Sequence, residues 1–394
     1  MIRLAVVVSH PIQYYAPWFR LLARRSDLQL RVFHLWNFGV TNQLDRGFGA
    51  VVRWDVPLLD GYDSCFVPNR SKDPGTHHLF GLDNPDLNRF LLAWKPDAIL
   101  LFGYTYLSHL RLILDPRLYR LPILFRGDSH QLVLQQGLRP ALSRLLRQLL
   151  FRRFSAGLPV GRANEAWMQS SGLPPRQLFP ACHAVDNARF QAAAPQAERE
   201  ALAWRSQLGI PADTLVVLFA GKFEPKKRPL DLLEAFAALP SSEAVLVFVG
   251  AGPLDTALRQ RASQLPQGRV FVEGLQNQSA MPRVYALADL VVLPSFGPGE
   301  TWGLCINEAM NLARPVIVSS HVGCGPDLVI PGQTGWVFPA GDDNALRAAL
   351  SEALSDPHRL KTMGLAARAH IEHYSYAEAT AGLKRALKAV LARP

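Results

Sequence analysis

The sequence predicts an α/β protein built as two Rossmann-like, doubly wound parallel-sheet domains facing a cleft. Three observations carry that expectation. Short β-branched apolar runs alternate with helical patterns from end to end, as in parallel sheets covered by helices on both faces. The alternation occurs twice. The 394 residues, 49% of them apolar and 19% charged, suit two ordinary globular domains.

The first set of strands is read at 4–8, 28–33, 98–102, 122–125 and 157–160, and the second at 215–220, 244–249, 270–273, 290–293 and 315–318. Between them, 191–201 (Gln-Ala-Ala-Ala-Pro-Gln-Ala-Glu-Arg-Glu-Ala) shows no strand pattern and reads as a linker. The expected division is therefore a first Rossmann-like domain over 1–190, a second over 191–375, and a terminal helix over 376–394. Ligands of doubly wound sheets bind outside the carboxyl ends of the strands, which points to loops 9–15, 103–106, 126–130, 221–228 and 295–303.

The formal net charge is +10, and its excess is uneven. Between Ser129 and Asn164 stand Arg139, Arg144, Arg147, Arg152, Arg153 and Arg162 and no acidic residue. Leu142, Leu145, Leu146, Leu149, Leu150 and Phe154 recur there at helical spacing. The favoured reading of 138–154 is a helix packed on the core with a solvated basic face. The alternative is a helix lying on an anionic membrane surface. Nucleic acid is not expected as a partner, since no aromatic-interleaved basic groove accompanies the charge. Cys65, Cys182, Cys305 and Cys324 have neither disulfide-framework nor metal-site spacing. The N-terminus lacks a signal-peptide pattern and no apolar run reaches spanning length, so a cytoplasmic location is expected, with 138–154 as the candidate peripheral contact at the inner face of the plasma membrane.

The stretch 296–311, Phe-Gly-Pro-Gly-Glu-Thr-Trp-Gly-Leu-Cys-Ile-Asn-Glu-Ala-Met-Asn, sets Glu300 and Glu308 at a strand-to-helix junction. A helix start offers unpaired N–H groups and the positive end of its dipole, where a diphosphate can settle without a metal. Glu300 can accept hydrogen bonds from sugar hydroxyls, and Glu308, about two turns into the helix, can reach a ribose. After the strand at 215–220 come Gly221, Lys222, Lys226, Lys227 and Arg228. Four such cations repel one another unless an anion lies among them, and Lys222 and Lys227 are the pair to place on a diphosphate leaving group. Gly250 and Gly252 let a flat base approach the backbone, and the main chain of Leu275 can pair with its edge.

Taken in order, Gly-Lys-Phe-Glu-Pro-Lys-Lys at 221–227, Val-Gly-Ala-Gly-Pro at 249–253, Glu-Gly-Leu at 273–275, Leu-Pro-Ser at 293–295, the Glu300/Glu308 pair and Gly-Gln-Thr-Gly-Trp-Val at 332–337 resemble the donor domain of family 4 glycosyltransferases, over roughly 210–355. The resemblance implies a GT-B architecture, with 1–190 binding the acceptor, 191–375 binding the donor and the helix over 376–394 packing back on the first domain; it also implies retaining transfer from a nucleotide-diphosphate sugar of UDP or GDP type, no divalent metal and no other cofactor. It implies that Lys222 and Lys227 hold the diphosphate, Glu300 the donor sugar and Glu308 the ribose. Gly221, Gly250, Gly252, Leu275, Ser295, Thr301, Trp302, Gly303 and Leu304 complete the donor-binding set. One departure is Lys222, where the family often carries arginine, whose bidentate fork lysine lacks.

The N-terminal loop Ser9-His-Pro-Ile-Gln-Tyr-Tyr looks like that of a bacterial subgroup beginning with the same run. His10, Gln13, Tyr14 and Tyr15 can floor an acceptor site, with Tyr104 and Arg126 beside them. Asp128 and His130 share the candidacy for acid/base or sugar-orienting chemistry. The expected function is a retaining, metal-independent glycosyltransferase acting on a saccharide or lipid-linked hydroxyl acceptor in bacterial polysaccharide or glycolipid synthesis. Its alternatives are a GT-B sugar-nucleotide epimerase and a catalytically silent GT-B scaffold.

Overall fold

A computed structural model describes residues 1–133, 138–240 and 244–392, with the side chains of 138–141 outside the description. The strands are β1 (Ile2–Val8), β2 (Leu28–His34), β3 (Gln43–Asp45), β4 (Ala50–Val52), β5 (Ser64–Phe66), β6 (Ala98–Phe102), β7 (Ile123–Arg126), β8 (Ala156–Gly157), β9 (Leu215–Lys222), β10 (Ala244–Ala251), β11 (Val270–Glu273), β12 (Leu290–Leu293), β13 (Val316–Ser319) and β14 (Gly335–Phe338). The helices are α1 (Ala16–Ala23), α2 (Leu87–Trp94), α3 (Leu107–Leu114), α4 (Leu138–Phe151), α5 (Arg162–Ser170), α6 (Asn187–Gln207), α7 (Pro229–Ala237), α8 (Asp255–Ala262), α9 (Met281–Ala286), α10 (Leu304–Asn311), α11 (Gly325–Leu328), α12 (Asp343–Leu354), α13 (Pro357–Ile371) and α14 (Tyr376–Leu391).

The chain divides into two units. Unit 1 holds residues 1–43, 52–182 and 376–394, and unit 2 holds 44–51 and 183–375. In unit 1 a six-stranded sheet runs β5-β2-β1-β6-β7-β8, and in unit 2 another runs β11-β10-β9-β12-β13-β14. The registered pairs in both are parallel. The strand runs are apolar throughout because both faces are covered. Ala5 and Val7 pack on one side of β1 with Leu101, Phe125 and Trp167, while Leu4 and Val6 pack on the other with Trp18, Phe19, Leu383 and Leu387. The opposite side chains of each strand thus serve different helix layers.

That second layer is closed by α14. Trp18 Nε1 donates to Thr380 Oγ1 at 3.0 Å, the Tyr376 hydroxyl donates to the Tyr14 carbonyl at 2.8 Å, and Gly382 lies directly against the Pro180 carbonyl.

The segment 191–201, read from sequence as a linker, is the middle of α6. Asp186 caps that helix by accepting from the Arg189 N–H at 3.1 Å, and Phe190, Ala197, Ala201 and Trp204 bury one face of it. Its alanines carry little apolar signal individually, and Pro195 argued against a helix; packing against α9 and α10 overrides both. Among the described residues, no helix is long and apolar enough to cross a membrane.

Candidate active site

Sheet topology decides where a site can form in unit 2. The strand order reverses beside β9, so the chain leaves β9 toward one side and β12 toward the other, opening a crevice at their carboxyl ends. The loops that follow are 221–228 and 294–303. They bring Lys227, on a short 3₁₀ turn at Pro225–Lys227, against Glu300, just ahead of α10.

Lys227 Nζ and a Glu300 carboxylate oxygen form a close ion pair, with the side chains only 16% and 9% exposed. Ser295 Oγ donates to the same oxygen at 2.8 Å, and the Ser295 carbonyl in turn accepts from the Ser319 hydroxyl at the end of β13. Burial pushes the Glu300 carboxyl up, but the Lys227 ammonium and the two hydrogen bonds outweigh it, and the group is held below its ordinary value. For Lys227 burial acts downward and Glu300 reverses it, so the ammonium is held above its ordinary value. Both groups therefore stay charged at neutral pH. The stabilisation from the lowered carboxyl is complete above the ordinary glutamate range and is lost as pH falls through the lower folded value.

Every cation of the 221–228 loop has an acidic neighbour within unit 2. Lys222 Nζ meets Asp45 Oδ1 at 2.8 Å and lies 4.7 Å from the centroid of the Phe48 ring; Lys226 meets Glu224 at 3.4 Å; Arg228 pairs with Asp231. The anion that the sequence reading required among these cations is thus supplied by the protein's own carboxylates. Asp45 is fixed for the purpose, since its Oδ1 also accepts from the N–H groups of Gly47 and Phe48 at 2.8 and 3.0 Å.

The helix after Glu300 begins at Leu304. Gly303 precedes it with φ +96°, a conformation that favours glycine, and a Cβ there would lie 2.8 Å from a Leu293 methyl. Thr301 is half-buried, and Trp302 is buried with Nε1 donating to Asn307 Oδ1 at 2.8 Å. Glu308 is 1% exposed, with Oε2 accepting from the Tyr285 hydroxyl at 2.7 Å, so it is not a solvated helix residue. Gly221, Gly250 and Gly252 cluster at the ends of β9 and β10, all with positive φ, and Leu275 is half-buried beyond β11.

In unit 1 the loops after β1, β6 and β7 hold the other candidates. His10 sits edge-on to Trp36 and Phe38, its Nδ1 3.0 Å from Ser9 Oγ. Gln13 and Tyr14 are half-exposed, and Tyr15 packs on Phe102 with centroids 4.8 Å apart. Tyr104 lies among Phe125, Phe151 and Trp167. Asp128 and His130 are half-buried, and His130 Nδ1 accepts from the Leu132 N–H at 3.2 Å. Arg126 is 2% exposed, donates to the carbonyls of Ala181 and Cys182 at 2.6 and 3.1 Å and lies over the Trp18 ring, tying the end of β7 to the 181–182 backbone.

Comparison of the whole structure with solved proteins decides the architecture. It superposes on the Anabaena protein HepE in complex with UDP with a TM-score of 0.75, at 16% identity over 98% of this chain and 100% of that one, and on a glycosyltransferase from Rickettsia africae with a TM-score of 0.76, at 14% identity over 100% and 99%. The fold is GT-B. Within it, residues 201–370 match the sequence model of glycosyl transferases group 1. Among curated relatives, a GDP-mannose-dependent monoacylated alpha-(1-6)-phosphatidylinositol monomannoside mannosyltransferase of Corynebacterium glutamicum is 34% identical over 197 residues, 48% of this chain and 50% of that protein. A D-inositol 3-phosphate glycosyltransferase of the same species is 34% identical over 188 residues, 45% and 44% of the two chains. The chain spans about half the length of the curated relatives it matches.

Four residues of unit 2 escaped the sequence reading. Asn307 lies inside the stretch already singled out, but Trp302 precedes the helix and stands five residues away, so helical spacing does not pair them. Tyr285 and Ser319 touch Glu308 and Ser295 from neighbouring elements, which only the fold reveals. Asp45 stands 177 residues before Lys222, with no local signal to join them.

Proposed function

We propose that this protein transfers a glycosyl group from a nucleotide-diphosphate sugar to a hydroxyl acceptor, with retention at the anomeric carbon and without a divalent metal. The observation that carries the reading is the largely buried Lys227/Glu300 pair at the crevice of unit 2, ahead of the first turn of α10. A buried lysine and a helix start together stabilise the charge that develops on a departing diphosphate. In this reading Lys227 turns toward the diphosphate, Lys222 supports it, Glu300 orients the transferred sugar and Glu308 holds the ribose. The acceptor hydroxyl attacks from the leaving-group face and passes its proton to a phosphate oxygen. His10, Gln13, Tyr14 and Tyr15 bind the acceptor, and Asp128 or His130 orients the sugar. The UDP in the complex with HepE and the GDP-mannose and inositol-containing acceptor in the relatives' names support a nucleotide-sugar donor and a polyol or glycolipid acceptor.

Slow hydrolysis of UDP- or GDP-sugars, releasing free nucleoside diphosphate, is the expected result, with activity retained in excess EDTA. No release from any donor would return the chain to a silent scaffold, epimerised donor in place of nucleoside diphosphate would make it an epimerase, and loss in EDTA with rescue by manganese or magnesium would move the chemistry to a metal. A thermal-shift screen with UDP, GDP and ADP identifies the base.

The Asp45/Lys222 contact adds a second test. Asp45→Asn keeps an oxygen for the turn but removes the charge competing for Lys222, so nucleoside-diphosphate affinity should rise about three- to fivefold, the scale of a half-exposed charge contact. Calorimetric titration checks it; a weaker affinity would make Asp45 a support for Lys222, not its competitor.

A further inference from the structure

The helix α4 is mounted the opposite way from the favoured sequence reading. Its leucines at helical spacing point outward: Leu142, Leu145, Leu146 and Leu149 are 51–59% exposed. The side that meets the domain is held by Phe151, fully buried, together with polar groups. Arg147 Nε donates to Ser171 Oγ at 2.8 Å with its guanidinium 5.0 Å from the Trp167 centroid, and Gln148 Nε2 donates to the Ser170 carbonyl at 3.0 Å. Elsewhere in the unit the apolar helix face is buried, as with Trp18, Phe19 and Leu22 of α1. An apolar stripe of this length on a water-facing helix marks an interaction surface. The side chain of Arg139 lies outside the description, but Arg144 and Arg152 are exposed on this helix and its end, and no acidic residue occurs from 129 to 164.

We propose that the outward face of α4 docks the protein on an anionic lipid bilayer, its leucines entering the headgroup–acyl boundary and its arginines meeting lipid phosphates. The charge distribution selects this occupant. A second copy meeting the same patch about a twofold axis would set arginines against arginines with no acid in the segment to compensate. A bilayer supplies both the apolar layer and the opposite charge.

The test is flotation of the full chain with vesicles of phosphatidylcholine alone and of phosphatidylcholine mixed with phosphatidylglycerol. Two double variants accompany the wild type: Leu145→Ser with Leu149→Ser, and Arg144→Gln with Arg152→Gln. All four side chains are exposed, so melting temperature should stay at the wild-type value and report on folding independently. Binding is expected to the mixed vesicles only, to weaken at least about tenfold in each variant, and to fall with salt as the Debye length shrinks from about 10 Å at 0.1 M. Equal binding to both vesicle types, or full binding by either double variant, would overturn the lipid assignment. So would a wild-type dimer in light scattering that the leucine pair dissolves, because the stripe would then belong to a second copy.

Discussion

Lys227→Ala should lower turnover by about a hundredfold or more at saturating donor, the loss expected when a charge contact made to a leaving group is removed. The same change strands Glu300, whose carboxylate is buried against that ammonium. Breaking a buried pair from one side costs about 3–5 kcal/mol, so the single variant should also melt early. The two effects separate in the double variant Lys227→Ala/Glu300→Gln, where no charge is left buried alone. It should recover most of the stability and none of the turnover. Near-native turnover in Lys227→Ala would remove the lysine from the chemistry, and recovery of turnover in the double variant would reduce the pair to a structural tie.

Gly250→Ala should be the most damaging change of one methyl group near the candidate site. Gly250 has φ +154°, and a Cβ there would lie 1.9 Å from the Gly221 carbonyl oxygen and 3.2 Å from the Phe223 ring. Both obstacles belong to the backbone and core of the neighbouring strand end, so the carboxyl ends of β9 and β10 must part. The expected cost is about 3 kcal/mol or more, with nucleoside-diphosphate binding lost because Lys222 and Lys227 ride on the displaced segment. Gly274→Ala is the matched control, having nothing within 4 Å of the added carbon. Melting curves and thermal shifts with UDP or GDP read both. An unchanged melting temperature in Gly250→Ala would mean that these strand ends separate without cost.

The doubly wound sheets were legible because strands buried on both faces announce themselves as continuous apolar runs, as in Leu4–Val8 and Val216–Ala220. Strands at the margins were not. β5 is three residues with no fully buried position, β14 sits inside a stretch noticed for its glycines, and β3 and β4 form a separate two-stranded pair. In the candidate site, glutamates, lysines and glycines could be listed from motif order, but not their mutual contacts. That Lys227 reaches Glu300 while Lys222 reaches back to Asp45 depends on where β12 and the 44–51 turn lie beside β9, which no window of sequence contains. The facing of α4 failed for a different reason. Helical periodicity identifies a stripe but not which side of it the domain takes, and here Arg147, Gln148 and Phe151 decided the matter.

The position of α14 bears on how the protein is made. Ala379, Leu383, Ala386 and Leu387 of α14 pack with Leu4 and Val6 of β1 and with Trp18 and Phe19 of α1. A ribosome delivers those covering residues only after the whole of 183–375, so the domain whose strands emerge first is the one that finishes last. Throughout the synthesis of unit 2, the nascent unit 1 leaves open the part of this apolar layer that α14 later covers beside α1, the kind of surface that invites capture by holding chaperones or by a neighbouring nascent chain.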